Sequence, residues 1–156
     1  MTILDPHPTA QVPRAAAWLG GAGLIPFAAG AFAHWTLAPA HSGAVIAALL
    51  GYGAVILSFM GAVHWGLAMA LRGSPAVQQL SLSVVPPLVA WAALLVPPLA
   101  GIAILAAAFA GVYAMDRSAV AAGIAPPWYL RLRTPLSAAV ISLLAVSGAA
   151  LGTRLS

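Results

Sequence analysis

The chain has 156 residues, of which 63% are hydrophobic and 5% charged, with a mean hydropathy of +1.03. Average soluble domains carry about 25% charged residues, so so few charges cannot wet the surface of a soluble fold and lipid must cover part of it. A pI near 10.8 suggests nucleic acid, but six Arg spread along the chain form no patch and alternate with no run of stacking aromatics, so nucleic acid is excluded.

Long neutral tracts define the elements. Positions 15 to 71 carry 57 consecutive uncharged residues, positions 73 to 115 carry 43, and positions 134 to 153 carry 20. A membrane-crossing helix needs about 20 apolar residues, so the tracts hold two, two and one. This predicts an all-α integral membrane bundle of five transmembrane spans.

Turn chemistry divides the tracts. A polar segment, 1–14, precedes span 1, predicted over 15–37. The Pro39-Ala40-His41-Ser42-Gly43 stretch separates it from span 2, 43–71, with Ser42 as the expected N-cap. Ser74-Pro75 opens span 3, 75–96, and Pro97-Pro98 separates it from span 4, 99–115. A cytoplasmic loop is expected over 116–134, with Thr134-Pro135 starting span 5, 135–153. The one-sided distribution of charge sets the orientation. Five crossings put Arg14, Arg72, Arg117, Arg131 and Arg133 on one side and Arg154 on the other, so the N-terminus is expected inside and the C-terminus outside. Ala31-Phe32-Ala33 resembles a signal-peptidase site, but Asp5, the length of the leading segment and Pro26 argue for an uncleaved span.

Inside a bilayer, helices associate by close approach of small residues and by interhelical hydrogen bonds. Span 2 offers Gly51, Ala54, Ser58 and Ala62; span 4 offers Ala103, Ala107 and Gly111; span 5 offers Gly148 and Gly152. These are expected to pack within one bundle. In span 3, Pro86 and Pro87 each remove a backbone donor, which predicts a kink and carbonyls around Leu82 and Ser83 in need of other partners.

The reactive inventory is thin. Without Cys there are no disulfides, thiolate zinc sites or cysteine-held iron–sulfur clusters, and Glu, Lys and Asn are also absent. No catalytic residue and no metal site is assigned, an enzyme is disfavoured, and the cofactor is left unknown. Two His-Trp pairs, His34-Trp35 and His64-Trp65, suggest haem. They lie towards opposite membrane faces, so they cannot ligate one iron. His34 and His41 are read as solvated imidazoles at the outer surface. His64 lies seven residues inside the predicted end of span 2, about 10 Å deep at 1.5 Å per residue. A titratable group at that depth faces a partner or a cavity. The expected partner is Asp116, with Tyr113 one turn earlier and Arg117 beside it. Ser58, His64, Trp65, Tyr113, Asp116 and Arg117 therefore form the candidate functional or interhelical polar site. Trp128, Tyr129, Arg131 and Arg133 form a candidate interfacial anchor or partner-docking segment.

The run Tyr52-Gly53-Ala54-Val55-Ile56-Leu57-Ser58-Phe59-Met60-Gly61-Ala62-Val63-His64-Trp65-Gly66 resembles the signature of a small inner-membrane protein family of unknown function that includes mitochondrial transmembrane protein 69. Gly23-Leu24-Ile25-Pro26-Phe27, Asp116-Arg117 and Pro127-Trp128-Tyr129-Leu130-Arg131-Leu132-Arg133 match it too. The resemblance implies a five-helix fold and a bacterial or mitochondrial inner membrane, and no established activity. The long presequence of the mitochondrial members is not seen, so a bacterial inner (cytoplasmic) membrane is expected. The leading functional expectation is an accessory or assembly factor of an energy-converting membrane, partnered by a membrane-protein complex or another copy of itself. The alternative is a carrier or binding protein for a small apolar or redox ligand, quinone or haem, in a pocket between span 3, His64 and Asp116.

Overall fold

A computed structural model of the chain describes residues 11–36 and 39–155. The expected segment 1–14 therefore lies largely outside the described residues, Asp5 included, as do Leu37 and the side chain of Arg154. The described chain forms helices joined by short turns. Hydrocarbon offers no hydrogen bonds, so each span must satisfy its own backbone. Five helical spans are long and apolar enough to cross a membrane: Arg14–Thr36, Ser42–Ala68, Ser74–Ala93, Pro98–Ala121 and Trp128–Thr153.

Span 1 is two helices, α1 (Arg14–Ala22) and α2 (Ile25–Thr36). Pro26 lacks the N–H that would carry the ladder across the break. The Tyr52 hydroxyl, on the next span, donates to the Gly23 carbonyl there at 3.0 Å. Span 2 is the single helix α3 (Ser42–Ala68), entered through a 3-10 turn at Pro39–His41. The N-cap position falls on His41 rather than Ser42, whose hydroxyl lies 3.2 Å from His34 Nδ1. His34 is buried, which corrects the solvated imidazole expected there: small residues on α2 let it turn inward against the start of α3.

Span 3 breaks where its prolines predict, into α4 (Ser74–Ser83) and α5 (Val85–Ala93). The carbonyl of Ser83 at the break packs onto Gly61 of α3. A Cβ at Gly61 would stand 2.5 Å from that oxygen and 3.0 Å from Pro87 Cδ, so only glycine admits this approach. The end of α5 repeats the device, because a Cβ at Gly101 would stand 2.5 Å from the Ala93 carbonyl oxygen.

The remaining spans are α6 (Pro98–Ala121) and α7 (Trp128–Leu155), and here the expected boundaries need correction. The loop predicted over 116–134 shrinks to a connection at 122–127. Helix α6 runs past Asp116 until Gly123, whose φ of 71° ends it in a Schellman motif: Ile124 N–H donates to Ala119 O (2.8 Å) and Gly123 N–H to Val120 O (3.0 Å). Pro135 sits inside α7 rather than at its start. Thr134 does not cap; its hydroxyl donates back to Leu130 O at 2.8 Å. Charge and the Thr134-Pro135 turn signal had set the predicted ends, yet Asp116 and Arg133 neutralise each other within the helices.

Spans 1 to 5 pack in a ring in chain order, with span 5 returning to span 1 and spans 2 and 4 touching across the middle. Phe27 of α2 is the hub. It is fully buried and meets Tyr52 (5.1 Å between centroids) and Phe109 (6.0 Å) edge-on. Leu57, Leu105 and Leu144 fill the layer around it. The small-residue faces are redistributed relative to expectation. Gly53 and Gly61, with Leu57, His64 and Ala68, form the packed side of α3, while nothing lies within 4 Å of a Cβ at Gly51 and Ala62 is exposed. Ala103, Ala107 and Gly111 are likewise exposed on α6, whereas Gly148 packs against Ile102 and Leu99.

Candidate functional site

Three helices bring their polar residues to one end of the bundle, the end that carries Arg14, Arg72 and Arg117. His64 lies one turn from the end of α3, Asp116 lies five residues from the end of α6, and Arg133 lies in the second turn of α7. The spans 2–4 contact places the first two together, because Gly61, one turn before His64, lets span 3 close behind them. His64 and Asp116 are fully buried and Arg133 is 7% exposed.

The carboxylate of Asp116 divides its two oxygens between two donors. His64 Nε2–H donates to Oδ1 at 3.0 Å, and Arg133 Nε–H donates to Oδ2 at 2.7 Å. A buried ion costs several kcal/mol in lost hydration, on the order of the figure for real protein interiors. Two charge-assisted hydrogen bonds and an opposite charge offset that cost. On its other side, His64 Nδ1 lies 3.2 Å from Oε1 of Gln79, a residue of α4. A Gln amide presents oxygen on one edge and NH2 on the other. With the oxygen facing Nδ1, that nitrogen must carry a proton; after a half-turn of the amide, the NH2 donates to a neutral ring. Both ring nitrogens are thus engaged, which leaves His64 no lone pair for iron or another metal. Among the described residues, no three His, Cys, Asp or Glu side chains lie together as a metal site requires.

The other candidate residues divide clearly. Tyr113 turns to α7, where its hydroxyl meets the Thr134 hydroxyl at 2.8 Å, away from His64. Ser58 donates to the Ala54 carbonyl of its own helix at 2.8 Å. Trp65 is half exposed on the outside of the bundle, and Arg117 and Arg131 are exposed. Trp128 and Tyr129 stack edge-on at 6.1 Å. Arg133, expected at the interface with Trp128 and Tyr129, instead belongs to the buried cluster. Its place with Trp128, Tyr129 and Arg131 in the expected loop marked it as interfacial; the signal that could have found it is charge balance, since a buried Asp116 requires a cation. Gln79 went unnoticed because an uncharged amide does not interrupt the neutral tract by which the span was read.

Two cavities flank the cluster. The larger, about 440 Å³, lies between spans 1, 2, 4 and 5. Its walls are almost wholly apolar, including Leu24, Phe27, Phe59, Met60, Phe109 and Leu136. Tyr129, Arg133 and Ser137 also line it, and each holds a buried polar atom without a well-formed hydrogen bond: the Tyr129 hydroxyl, Arg133 Nη2 and the Ser137 hydroxyl. The Tyr129 hydroxyl lies close enough to the Asp116 carboxylate to feel its charge and share a weak hydrogen bond with it, though no well-formed bond is closed. The smaller cavity, about 350 Å³, lies between spans 3 and 4 beside Gln78, Gln79, Met115 and Ser118. His64 and Asp116 line neither, but their partners do: Gln79 lines the smaller cavity and Arg133 the larger. The smaller cavity lies beside the kinked span 3, where the sequence led a pocket to be expected, and the larger one lies among spans 1, 2, 4 and 5.

Known proteins place these features in context. The model of the family described as a protein of unknown function (DUF3429) matches residues 12–149. The Xenopus tropicalis protein named transmembrane protein 69 is 42% identical over 88 residues, which cover 54% of this chain and 34% of that protein. The matched stretch thus spans about a third of the relative's length. No solved structure matches.

Proposed function

The chain belongs to the DUF3429 family of multi-pass membrane proteins of unknown function, and on that premise we propose that it binds a small apolar ligand within the bilayer. The observation that carries this reading is the cavity of about 440 Å³ among spans 1, 2, 4 and 5. Ligand sites are concave, mostly apolar and fitted with a few polar groups, in a range of about 300–1,000 Å³. This cavity has that composition, and the Asp116–Arg133 pair holds one of its walls in place. The redox variant of the reading narrows to a quinone, because both nitrogens of His64 are occupied and the imidazole is unavailable to haem iron. We place the protein in a bacterial inner membrane with the Arg-rich end in the cytoplasm, in keeping with the positive-inside rule.

The test is purification of the full chain in mild detergent, solvent extraction and mass spectrometry of what is released. A stoichiometric amphiphile is expected, and Val63→Phe, which fills the cavity from α3, should abolish it while the protein remains folded. A wild-type extract holding only bulk lipid in bulk proportions would overturn the reading.

A second reading, an accessory or assembly factor, draws on the exposed Ala103–Ala107–Gly111 face of α6, where another helix could approach closely. Ala107→Leu would then remove a co-purifying membrane protein or a second copy of the chain without changing the extracted ligand. Retention of the partner would refute it.

A further inference from the structure

The cavity says more than that its ligand is apolar. Tyr129, Arg133 and Ser137 stand four residues apart on α7, so they line one face of the helix over about 12 Å at 1.5 Å per residue. Arg133 Nη2 and the Ser137 hydroxyl are buried without a partner, and the Tyr129 hydroxyl closes no well-formed bond, having only a weak interaction with Asp116. Ser137 is the informative member. Hydroxyls in helices commonly donate to the carbonyl four residues back; part-buried Ser58 and Ser147 and exposed Ser118 and Thr134 all do so here. Ser137 is 3% exposed and makes no such bond. Arg133 shows the same pattern. A guanidinium commonly grips a carboxylate with two nitrogens, but this one uses only Nε on Asp116 and leaves Nη2 beside the cavity. In hydrocarbon an unmet donor costs several kcal/mol, on the order of the cost of a lost hydrogen bond or more.

Resting on the reading of the cavity as a ligand site, we infer that the ligand carries a neutral oxygen acceptor, a carbonyl, that seats against Arg133 Nη2 with the Tyr129 and Ser137 hydroxyls on either side. A guanidinium nitrogen only donates, so the head must accept. The charge on Arg133 is already met by Asp116, and the cavity wall holds no second cation, which favours a neutral carbonyl over a phosphate. The hydrocarbon body then lies against Phe27, Phe59, Met60 and Phe109. Two sources share this chemistry: the ring carbonyl of a quinone and the ester carbonyl of an acyl lipid.

Three probes separate the possibilities in thermal-shift titrations of the purified, delipidated full chain: decyl-benzoquinone, dioctanoylglycerol, and decane, which has no acceptor. The absence of cysteine means that the quinone forms no thiol adduct. A saturable upward shift is expected with at least one carbonyl probe and not with decane; which one responds identifies the source. Ser137→Ala and Tyr129→Phe should each weaken that probe about five- to tenfold, the effect of one hydrogen bond. Each should leave the ligand-free midpoint unchanged or higher, since each removes an unmet polar group. A hydroxyl with a structural role would lower it instead. An equal saturable shift with decane would sink the carbonyl head while leaving the apolar site standing. No shift with any probe would sink both. Unaltered affinity in both hydroxyl variants, or a lowered ligand-free midpoint, would also overturn the assignment.

Discussion

Removing Asp116 should be the most damaging single change near the site. Asp116→Ala deletes the acceptor for two charge-assisted hydrogen bonds, at 3.0 and 2.7 Å, and strands Arg133 as a buried cation at 7% exposure. Breaking a buried ion pair from one side costs about 3–5 kcal/mol. For a chain of this size that lowers the midpoint of thermal unfolding by about 10 °C, at roughly 2–4 °C per kcal/mol. Removing both charges together should cost far less, because no ion is left unpaired. The assay is a double-mutant cycle on Asp116→Ala and Arg133→Met, read as midpoints in one detergent. A coupling of at least about 2 kcal/mol is expected, and it should be insensitive to salt because the pair is shielded from counterions. If the double variant is as unstable as the sum of the two single ones, or if the coupling vanishes at high salt, the pair is not the buried lock described here.

Other expectations follow from individual contacts. Gly61→Ala forces a methyl to 2.5 Å from the Ser83 carbonyl, which belongs to backbone and cannot swing aside; a loss of about 1–3 kcal/mol is expected in thermal unfolding. Tyr52→Phe removes the donor to the Gly23 carbonyl at the break in span 1 and should cost about 1–3 kcal/mol, with faster proteolysis near residues 20–25 as the local readout. Tyr113→Phe should be nearly silent, within about 0.5 kcal/mol, because Thr134 keeps its bond to Leu130 O. In a chain without cysteine, single cysteines placed at Arg117 and Ala40 should label from opposite aqueous compartments; labelling from the same side would refute the five-span threading.

The number of spans was legible because the cost of unpaired charge in hydrocarbon exceeds every local preference, so neutral tracts had to be the helices. The same reasoning misplaced their ends. It stopped span 4 at Asp116 and began span 5 after Arg133, because a residue's formal charge does not reveal whether a partner cancels it. The meeting of His64 with Asp116 could be anticipated from depth and threading, since both sit near the C-terminal ends of spans 2 and 4, which cross the membrane in the same direction. The third member could not: Arg133 shares its neighbourhood in the chain with Arg131, which is exposed, and a two-residue step on a helix turns one inward and the other out. Gln79 and Ser137 were invisible for a different reason. Their importance lies in which hydrogen bonds they make or fail to make, and hydropathy is blind to that. Gly61 stood in the sequence among other small residues, and only the broken span 3 shows why it, and not Gly51, must lack a side chain.

The cluster and the cavity are one construction. Asp116 touches no cavity, yet it grips Arg133 by Nε, and that grip leaves Nη2 unused beside the cavity. His64 holds the other oxygen of the carboxylate and is held in turn by Gln79, so the aim of the guanidinium depends on a chain of contacts reaching span 3. On the proposed reading of the cavity, His64 and Gln79 act as positioning residues for a group they do not meet. A change at Gln79 that lets the imidazole turn should weaken ligand binding through Arg133 while the cavity keeps its volume, whereas Val63→Phe should remove the volume and leave the cluster intact. Two routes to the same loss, separated by whether the Asp116–Arg133 coupling survives, distinguish a site built by polar positioning from a void that only happens to lie beside an ion pair.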